Sequence, residues 1–171
     1  METSVLARWF SETGMYAKKD GSVPAVPEGA PEKIWFLKPL TYMNLSGESV
    51  AQLTQFYKIL PEEILVVHDE LELPLGTVSL KWSGGLGGHN GLRSMKASFG
   101  TADFWRLRFG LTKPADRDIA SYVLSDFTAD EQIILAREFA QTNEMFAKFL
   151  LSTDENQQRI LQAWSKRKLV Q

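Results

Sequence analysis

The fold of this chain is decided by Ile64 to Gly110, which read ILVVHDELELPLGTVSLKWSGGLGGHNGLRSMKASFGTADFWRLRFG. The aliphatic run at its start predicts a central strand that is covered on both faces. Thr77 to Trp82 and Phe104 to Leu111 alternate apolar and polar side chains, which predicts two further strands. Between them, a glycine-rich loop leads into a helix predicted over Asn90 to Phe99, with Asn90 or a neighbour as its cap. Strands interspersed with helices indicate an α/β domain.

The segments on either side of this stretch predict further elements of the same domain. Upstream, we expect a short amphipathic helix over 5–14, a loop over 18–31 and a buried strand at Ile34 to Leu37. Downstream, Thr128-Ala-Asp-Glu131 matches a capping box that opens a long helix, and another helix is predicted from about Asn156 to Lys168. Because 171 residues fit one domain of ordinary size, we expect residues 1–171 to form a single domain.

Positive charge is concentrated in one part of an otherwise acidic chain. The net charge is −2, which argues against a protein that coats nucleic acid over its whole surface. The window from Lys81 to Lys113, however, holds six Lys and Arg residues against one acid, Asp103, a local charge of +5. Strand alternation places Arg106 and Arg108 on one face, and together with Lys81 they could contact phosphates. The alternative is a solvated strand face.

Composition excludes several kinds of site. Without cysteine there is no disulfide, thiol nucleophile or cysteine-ligated metal, and two histidines argue against a histidine-rich metal site. The first residues lack the pattern of a secretory signal, and no apolar run approaches the roughly 18 residues of a membrane helix. We therefore expect a cytoplasmic protein that uses no metal and contacts no membrane.

Candidate site residues gather after the first strand of this stretch. Asp69 directly follows that strand, and ligands of open α/β sheets bind beyond the carboxyl ends of strands. A carboxylate there could orient a histidine, or it could belong with Glu70 to a solvated turn. The glycine-rich loop could bind an anion where the helix begins, or it could be a flexible loop. His89, at the end of that loop, is the histidine expected at a site, whereas His68 is interpreted as structural.

Three segments, taken together, resemble the bacterial peptidyl-tRNA hydrolase family. They are KPLTYMNLSGESV from Lys38 to Val50, HDELELPLGTVSLKWSGGLGGHNGLRSM from His68 to Met95, and FWRLRFGL from Phe104 to Leu111. The resemblance implies a single domain with a mixed, twisted β-sheet flanked by helices on both faces. It also implies hydrolysis of the ester between peptide and tRNA by general-base activation of water, with no metal or organic cofactor.

The resemblance also implies roles for the residues that hold the substrate. Tyr42, Met43 and Asn44 match positions that bind the peptidyl-adenosine end of the tRNA. Asn90 looks like a further substrate-binding asparagine, and His89 lies beside it in the sequence. Of these residues, Asn44 and His89 are expected to take part in catalysis.

Two more roles follow from the resemblance. Asp69 resembles the aspartate that holds the catalytic histidine in its basic form. Lys81 and Arg108 match basic residues that clamp the terminal phosphate of the tRNA, in agreement with the charge count above. Peptidyl-tRNA is therefore the expected partner of a protein that we expect to be a monomer.

One part of the family pattern is not found in this sequence. Family members open with a strand and a loop of the type GLGNPGxxYxxTRHNxG, which supplies the histidine general base, and Met1 falls just after the corresponding position. We expect the natural protein to be longer, and residues 1–171 alone to be weakly active or inactive, with His89 a poor substitute for the base. The alternatives are a non-catalytic RNA-binding module of the same fold and a binder of small phosphates.

Overall fold

The computed structural model describes residues 33–116, 118–152 and 154–169, so the helix predicted over 5–14 and the loop over 18–31 lie outside it. Short 3₁₀ turns at Met43–Leu45 and Pro61–Glu63 precede the first helix and the first strand of this part of the chain. Its helices and strands, in chain order, are α1 (Ser46–Tyr57), β1 (Leu65–Glu70), β2 (Thr77–Trp82), α2 (Asn90–Phe99), β3 (Trp105–Gly110), α3 (Ile119–Val123), α4 (Ala129–Leu150), α5 (Asp154–Trp164) and β4 (Arg167–Lys168).

The described strands form one mixed sheet in the order β1-β3-β2-β4. β1 runs parallel to β3, while β2 is antiparallel to both β3 and β4. The expectation that the Ile64–Val67 run is a central, doubly covered strand is wrong for the described sheet, because β1 lies at its edge and Val67 is 53% exposed. An aliphatic run shows that side chains meet apolar neighbours, but it does not show how many strands flank them.

Helices cover both faces of the sheet, as expected. On one face, the alternating side chains of β2 and β3 pack against α4 and α5, in a core of Val78, Leu80, Trp105, Leu107, Met145, Phe149 and Trp164. On the other face, a second core joins the strands to α1 and α2; it contains Leu92, Met95 and Phe104 with Val50 and Val66 packed against them. None of the described helices is long and apolar enough to cross a membrane.

A close crossing of α1 and α2 positions the segment before α1. Gly47 donates its backbone N–H to Ser94 Oγ at 2.9 Å, and a Cβ on Gly47 would lie 2.2 Å from the Ser94 carbonyl oxygen. Only glycine allows the two helices to approach so closely, because any side chain would overlap the backbone of α2. The 3₁₀ turn Met43–Leu45 is thereby held against the first turn of α2.

The helix ends show which local signals are reliable. The capping box of α4 is confirmed: Thr128 Oγ1 accepts from the Glu131 N–H at 3.3 Å, and Glu131 Oε2 accepts from the Thr128 N–H at 2.8 Å. The helix predicted to continue to Lys168 ends at Trp164, because Arg167 and Lys168 instead pair as β4 with the edge of β2.

The strand predicted at Ile34 to Leu37 is not formed in the described structure. These residues carry no regular secondary structure, and Trp35 and Phe36 are exposed. The Trp35 ring stacks on the Tyr57 ring of α1 with the centroids 3.8 Å apart. An apolar run therefore identified a segment that packs through single side chains rather than through strand pairing.

Candidate active site and nucleic-acid interface

Asp69 and His89 form a hydrogen-bonded pair at the carboxyl end of β1. His89 Nε2 lies 3.2 Å from Asp69 Oδ1, and the hydrogen bond from His89 is the main reason that the pKa of Asp69 is lowered. The side chain of Asp69 is 35% exposed, so it remains open to a further donor. The sequence predicted that Asp69 orients the general-base histidine of the loop not found in this sequence, whereas within the described residues Asp69 pairs with His89.

Both nitrogens of the His89 ring are already in use. His89 is the residue that caps α2, since its Nδ1 accepts from the Leu92 N–H at 3.3 Å, whereas Asn90 is the first residue of the helix. A backbone N–H can only donate, so Nδ1 holds a lone pair and the neutral ring has its proton on Nε2, pointing at Asp69. In this geometry His89 has no free lone pair with which to take a proton from water.

His68 is half-buried and packs against the ring of His89. The two ring centroids are 4.9 Å apart, and His68 Nδ1 donates to the Asp69 carbonyl oxygen at 2.6 Å. Burial lowers the pKa of His68 to about 4, so its ring is neutral at physiological pH. This placement agrees with the structural role that the sequence predicted for it.

The 3₁₀ turn before α1 brings Met43 to the same place. A Cβ on Gly91 would lie 2.6 Å from Met43 Sδ and 3.0 Å from His89 Cε1, so any larger residue here would require these two side chains to shift. Met43, Asp69 and His89 line a cavity of about 1460 Å³ that runs along β1. These three residues, distant in sequence, therefore share one concave surface.

The remaining substrate-binding candidates lie around this cavity rather than in its lining. Tyr42 is 82% exposed at the start of the 3₁₀ turn, and Asn44 is exposed within it. Asn90 is exposed at the start of α2, where its Oδ1 lies 3.5 Å from Arg93 Nη1. Their side chains are accessible to a ligand.

The two arginines of β3 share a face but differ in their surroundings. Arg106 is 1% exposed and donates to the carbonyl oxygens of Gly85 at 2.6 Å and Gly84 at 2.9 Å. Its guanidinium also lies 5.0 Å from the centre of the Phe104 ring, and burial lowers its pKa. The prediction that Arg106 contacts phosphate is wrong, because its charged group is buried in the glycine-rich loop.

Arg108 is more accessible and is held by two neighbouring strands. Its Nη2 donates to Ser79 Oγ of β2 at 2.7 Å, and its Nη1 lies 3.5 Å from Glu70 Oε2 of β1. Ser79 is fixed in turn by a hydrogen bond to the Ser165 carbonyl oxygen. Lys81, on the same face of β2, lies against Gly84 at the start of the glycine-rich loop. No group of three or more acids or histidines that could hold a metal ion is found within the described ranges.

Comparison with known proteins agrees with the sequence resemblance. The family model described as peptidyl-tRNA hydrolase matches residues 4–169. The chain belongs to this family. The peptidyl-tRNA hydrolase of Treponema pallidum is 48% identical over 145 residues, which are 84% of this chain and 72% of that protein. The peptidyl-tRNA hydrolase of Neisseria gonorrhoeae is 53% identical over 109 residues, 63% of this chain and 55% of that protein.

Solved structures of peptidyl-tRNA hydrolases have the same fold. The crystal structure of the enzyme from Acinetobacter baumannii has a TM-score of 0.61 and 37% identity, and covers 74% of this chain. A complex of peptidyl-tRNA hydrolase with N-propanol has a TM-score of 0.64 and 35% identity. This chain spans 61% of either solved chain, so it matches only part of the length of these relatives.

Two residues around Arg108 in the candidate site were not predicted from the sequence. Ser79 is buried and holds Arg108, and Glu70 pairs with Arg108 instead of lying in a solvated turn. A signal for Ser79 was present, because a serine alternates with Lys81 on the face opposite to the apolar residues of β2. The pairing of Glu70 with Arg108 depends on the register of β1 against β3, which no local sequence pattern predicts.

Proposed function

We propose that this chain binds the end of a peptidyl-tRNA and that its site serves hydrolysis of the ester between peptide and tRNA. The strongest support is that Asp69, His89 and Met43, from three separate segments, line one cavity beside the strands that hold Lys81 and Arg108. These two features suit the two chemical parts of such a substrate. Basic side chains suit its phosphate, and an acid–imidazole pair suits the reacting ester.

The substrate contacts that we propose follow from exposure and position. The exposed ring of Tyr42 can stack on a nucleotide base, as aromatic side chains do in single-stranded RNA recognition. The exposed amides of Asn44 and Asn90 can hydrogen-bond to the ester and sugar, since each amide both donates and accepts. Lys81 and Arg108 bind the terminal phosphate. The 3′ end carries the ester, so this phosphate is the 5′ one.

The geometry of His89 limits what these residues can do by themselves. Hydrolysis needs a base that accepts a proton from the attacking water, and such a base contributes typically about 10²–10⁴-fold to the rate. His89 directs its Nε2 proton to Asp69 and its Nδ1 lone pair to the Leu92 N–H, so it orients Asp69 rather than activating water. We therefore expect weak or no turnover by residues 1–171 alone. The reaction needs no metal or organic cofactor.

The proposal includes the setting in which the protein acts. Peptidyl-tRNA arises where translation takes place, so we place the protein in the cytoplasm. We further propose that residues 1–171 form one domain and that it acts as a monomer.

The test compares residues 1–171 with the 48% identical Treponema pallidum relative as a positive control. Hydrolysis is measured with N-acetylated aminoacyl-tRNA, and binding with an analogue whose 3′ ester is replaced by an amide. We expect the chain to bind the analogue and to turn over at least about 10²-fold more slowly than the relative.

Each other outcome has a distinct meaning. Hydrolysis by the chain at the rate of the relative would contradict the role given to His89. Equal binding of N-acetylated and deacylated tRNA, without turnover, would favour a non-catalytic RNA-binding module. Absence of any binding to tRNA would overturn the proposal.

A further inference from the structure

In the part of the chain that the structure describes, the guanidinium of Arg108 makes only one short hydrogen bond and one long contact, although it has five N–H donors. Its bond to Ser79 Oγ is 2.7 Å long, but Glu70 Oε2 lies 3.5 Å from Nη1, and Nε has no partner among the described residues. Charge-assisted bonds between arginine and a carboxylate are typically about 2.7–2.9 Å long and often bidentate. Nε is buried, so only the Nη groups can meet a ligand. Because the Glu70–Arg108 pair is loose, these Nη groups can exchange Glu70 for another anion.

The carboxylate of Glu70 lies between Arg108 and the glycine-rich loop. Its Oε1 accepts from the Glu72 N–H at 3.2 Å, which holds it in the turn after β1. A Cβ on Gly87 would lie only 3.7 Å from the same oxygen. An anion bound jointly by Arg108 and the loop would have to take the place of this carboxylate.

Lys81 supplies a second positive charge at the other end of the same loop. A Cβ on Gly84 would lie 2.9 Å from Lys81 Nζ, and no described acid forms an ion pair with Lys81. In the register of β2 and β3, Lys81 is one diagonal step from Arg108 on the same face. Diagonal neighbours in a sheet are about 7–8 Å apart, within reach of two long side chains that bind one phosphate.

The exchange of one anion for another depends on their charges. A phosphodiester of the RNA backbone carries a single negative charge, as the carboxylate does, so it gains little attraction by replacing Glu70. A terminal phosphate carries about −1.5 to −2 at pH 7 and three strong acceptor oxygens, so it gains more. The side chains of Arg108 and Glu70 are only 19% and 14% exposed, which limits screening by salt.

We propose that Glu70 is an internal anion that occupies Arg108 in the free protein and makes the site select a terminal phosphate over backbone phosphodiesters. This inference rests on the proposed function, because that function assigns Lys81 and Arg108 to phosphate binding. Glu70 acts as a specificity-determining residue and not as a catalytic one. It lowers the affinity for every RNA, but it lowers the affinity for RNA without a terminal phosphate the most.

The test uses two hairpin RNAs that mimic the acceptor stem and differ only in a 5′-phosphate or a 5′-hydroxyl. Their affinities are measured for the wild-type chain and for Glu70→Gln, whose amide oxygen can still accept from the Glu72 N–H. We expect the 5′-hydroxyl hairpin to bind more tightly to the variant and the preference for the 5′-phosphate to fall by about three- to tenfold.

The matched control is Glu72→Gln, which removes the same charge two residues away. The Glu72 side chain is 68% exposed and lies 3.6 Å from Lys113, away from Arg108. The control should leave the phosphate preference unchanged, since it alters only the general field around the site. An equal loss of preference in both variants would overturn the role of Glu70, as would an unchanged preference in Glu70→Gln.

A second variant keeps the test decisive if Glu70→Gln does not fold, which circular dichroism would reveal. Glu70→Asp retains the charge but withdraws the carboxylate from Arg108 by one methylene, and it should also reduce the preference. An unchanged preference in that variant contradicts the inference. A wild-type chain that binds both hairpins equally overturns this inference and the assignment of Lys81 and Arg108 to the 5′-phosphate. It leaves the proposed hydrolysis of the 3′ ester untouched, because that is tested separately with N-acetylated aminoacyl-tRNA. A chain that binds neither hairpin overturns both this inference and the proposed function.

Discussion

Arg106 and Arg108 lie two residues apart on β3 and project from the same face, yet the structure gives them different surroundings. The guanidinium of Arg106 is buried and bonded to the carbonyl oxygens of Gly84 and Gly85. The guanidinium of Arg108 is partly exposed and shares one loose contact with Glu70. Strand alternation and charge counting predict the same position and the same role for the two arginines. What separates them is the neighbouring strand and loop, so a basic cluster in a sequence predicts the sign of a surface but not which residue binds.

The two histidines repeat this contrast. His68 and His89 are in ring contact, but only His89 reaches the carboxylate of Asp69 and lies at the start of α2. His68 donates to the Asp69 carbonyl oxygen and is neutral because partial burial lowers its pKa. In both pairs, one member is held by backbone carbonyl oxygens, whereas the other contacts a carboxylate.

The largest effect should come from Arg106→Met, which keeps an unbranched apolar chain of similar reach to the arginine methylenes but removes the guanidinium. The carbonyl oxygens of Gly84 and Gly85 would lose their buried donors, so we expect the free energy of unfolding to fall by about 3 kcal/mol. Urea denaturation followed by circular dichroism measures this change. Arg108→Met is the matched control and should lower stability by less than about 1 kcal/mol. Equal destabilisation by the two variants would remove the contrast between the arginines.

The second prediction is that His68 lowers the stability of the protein at acid pH. Burial lowers the pKa of His68 from 6.5 to about 4. The unfolded chain therefore takes up the proton first, and stability falls as the pH drops from about 6.5 towards 4, by about 2 kcal/mol at pH 4.5. His68→Gln, which does not titrate, should lack this loss. The difference between the two profiles isolates His68, since Glu138, whose pKa is raised to about 7 by burial, titrates in both. Identical profiles would contradict the structural role of His68.

Arg108→Ala should weaken the binding of tRNA with a 5′-phosphate by about tenfold, because one charge-assisted phosphate contact is lost. Its effect on stability should be small. Fluorescence titration at fixed salt measures the affinity. Unchanged affinity would show that Arg108, like Arg106, serves only the fold.

Lys81→Ala should have the smallest effect, about a threefold loss of tRNA affinity, because Lys81 is a point charge that makes no ion pair with a described residue. The slope of log affinity against log salt should fall by about one. Lys148→Ala on α4, which packs on the opposite face of the sheet, is the control and should leave both quantities unchanged. A similar loss in the control would mean that only the overall charge matters.

Much of the fold could be predicted from the sequence because local patterns determine it. The helix at Asn90–Phe99, the strand at Thr77–Trp82 and the capping box at Thr128 have the predicted positions. Alternation in β3 correctly separated the apolar face from the arginines. The predictions that were wrong depended on strand pairing, which is non-local. Ile34 to Leu37 forms no strand, β1 lies at the edge of the described sheet, and Arg167 pairs with Val78 instead of ending a helix.

The sequence identified residues of the candidate site, but it did not predict the hydrogen bonds that these residues make. Asp69 was expected to orient a general-base histidine not found in this sequence, and within the described residues it pairs with His89 instead. The sequence predicted Asn90 or a neighbour as the cap of α2, but not that His89 caps it through Nδ1, which leaves the ring without a free lone pair. The burial of Arg106 could not be predicted either, because it depends on how the glycine-rich loop folds back on β3.

The most direct test of these assignments is the preference of Arg106→Gln and Arg108→Gln for a 5′-phosphate over a 5′-hydroxyl on the same acceptor-stem hairpin. Both variants remove one positive charge from one strand, and both are measured at a temperature at which each is folded. Our account predicts that Arg106→Gln keeps the preference of the wild-type chain and that Arg108→Gln loses it. Loss of the preference in Arg106→Gln, or its retention in Arg108→Gln, would contradict the account.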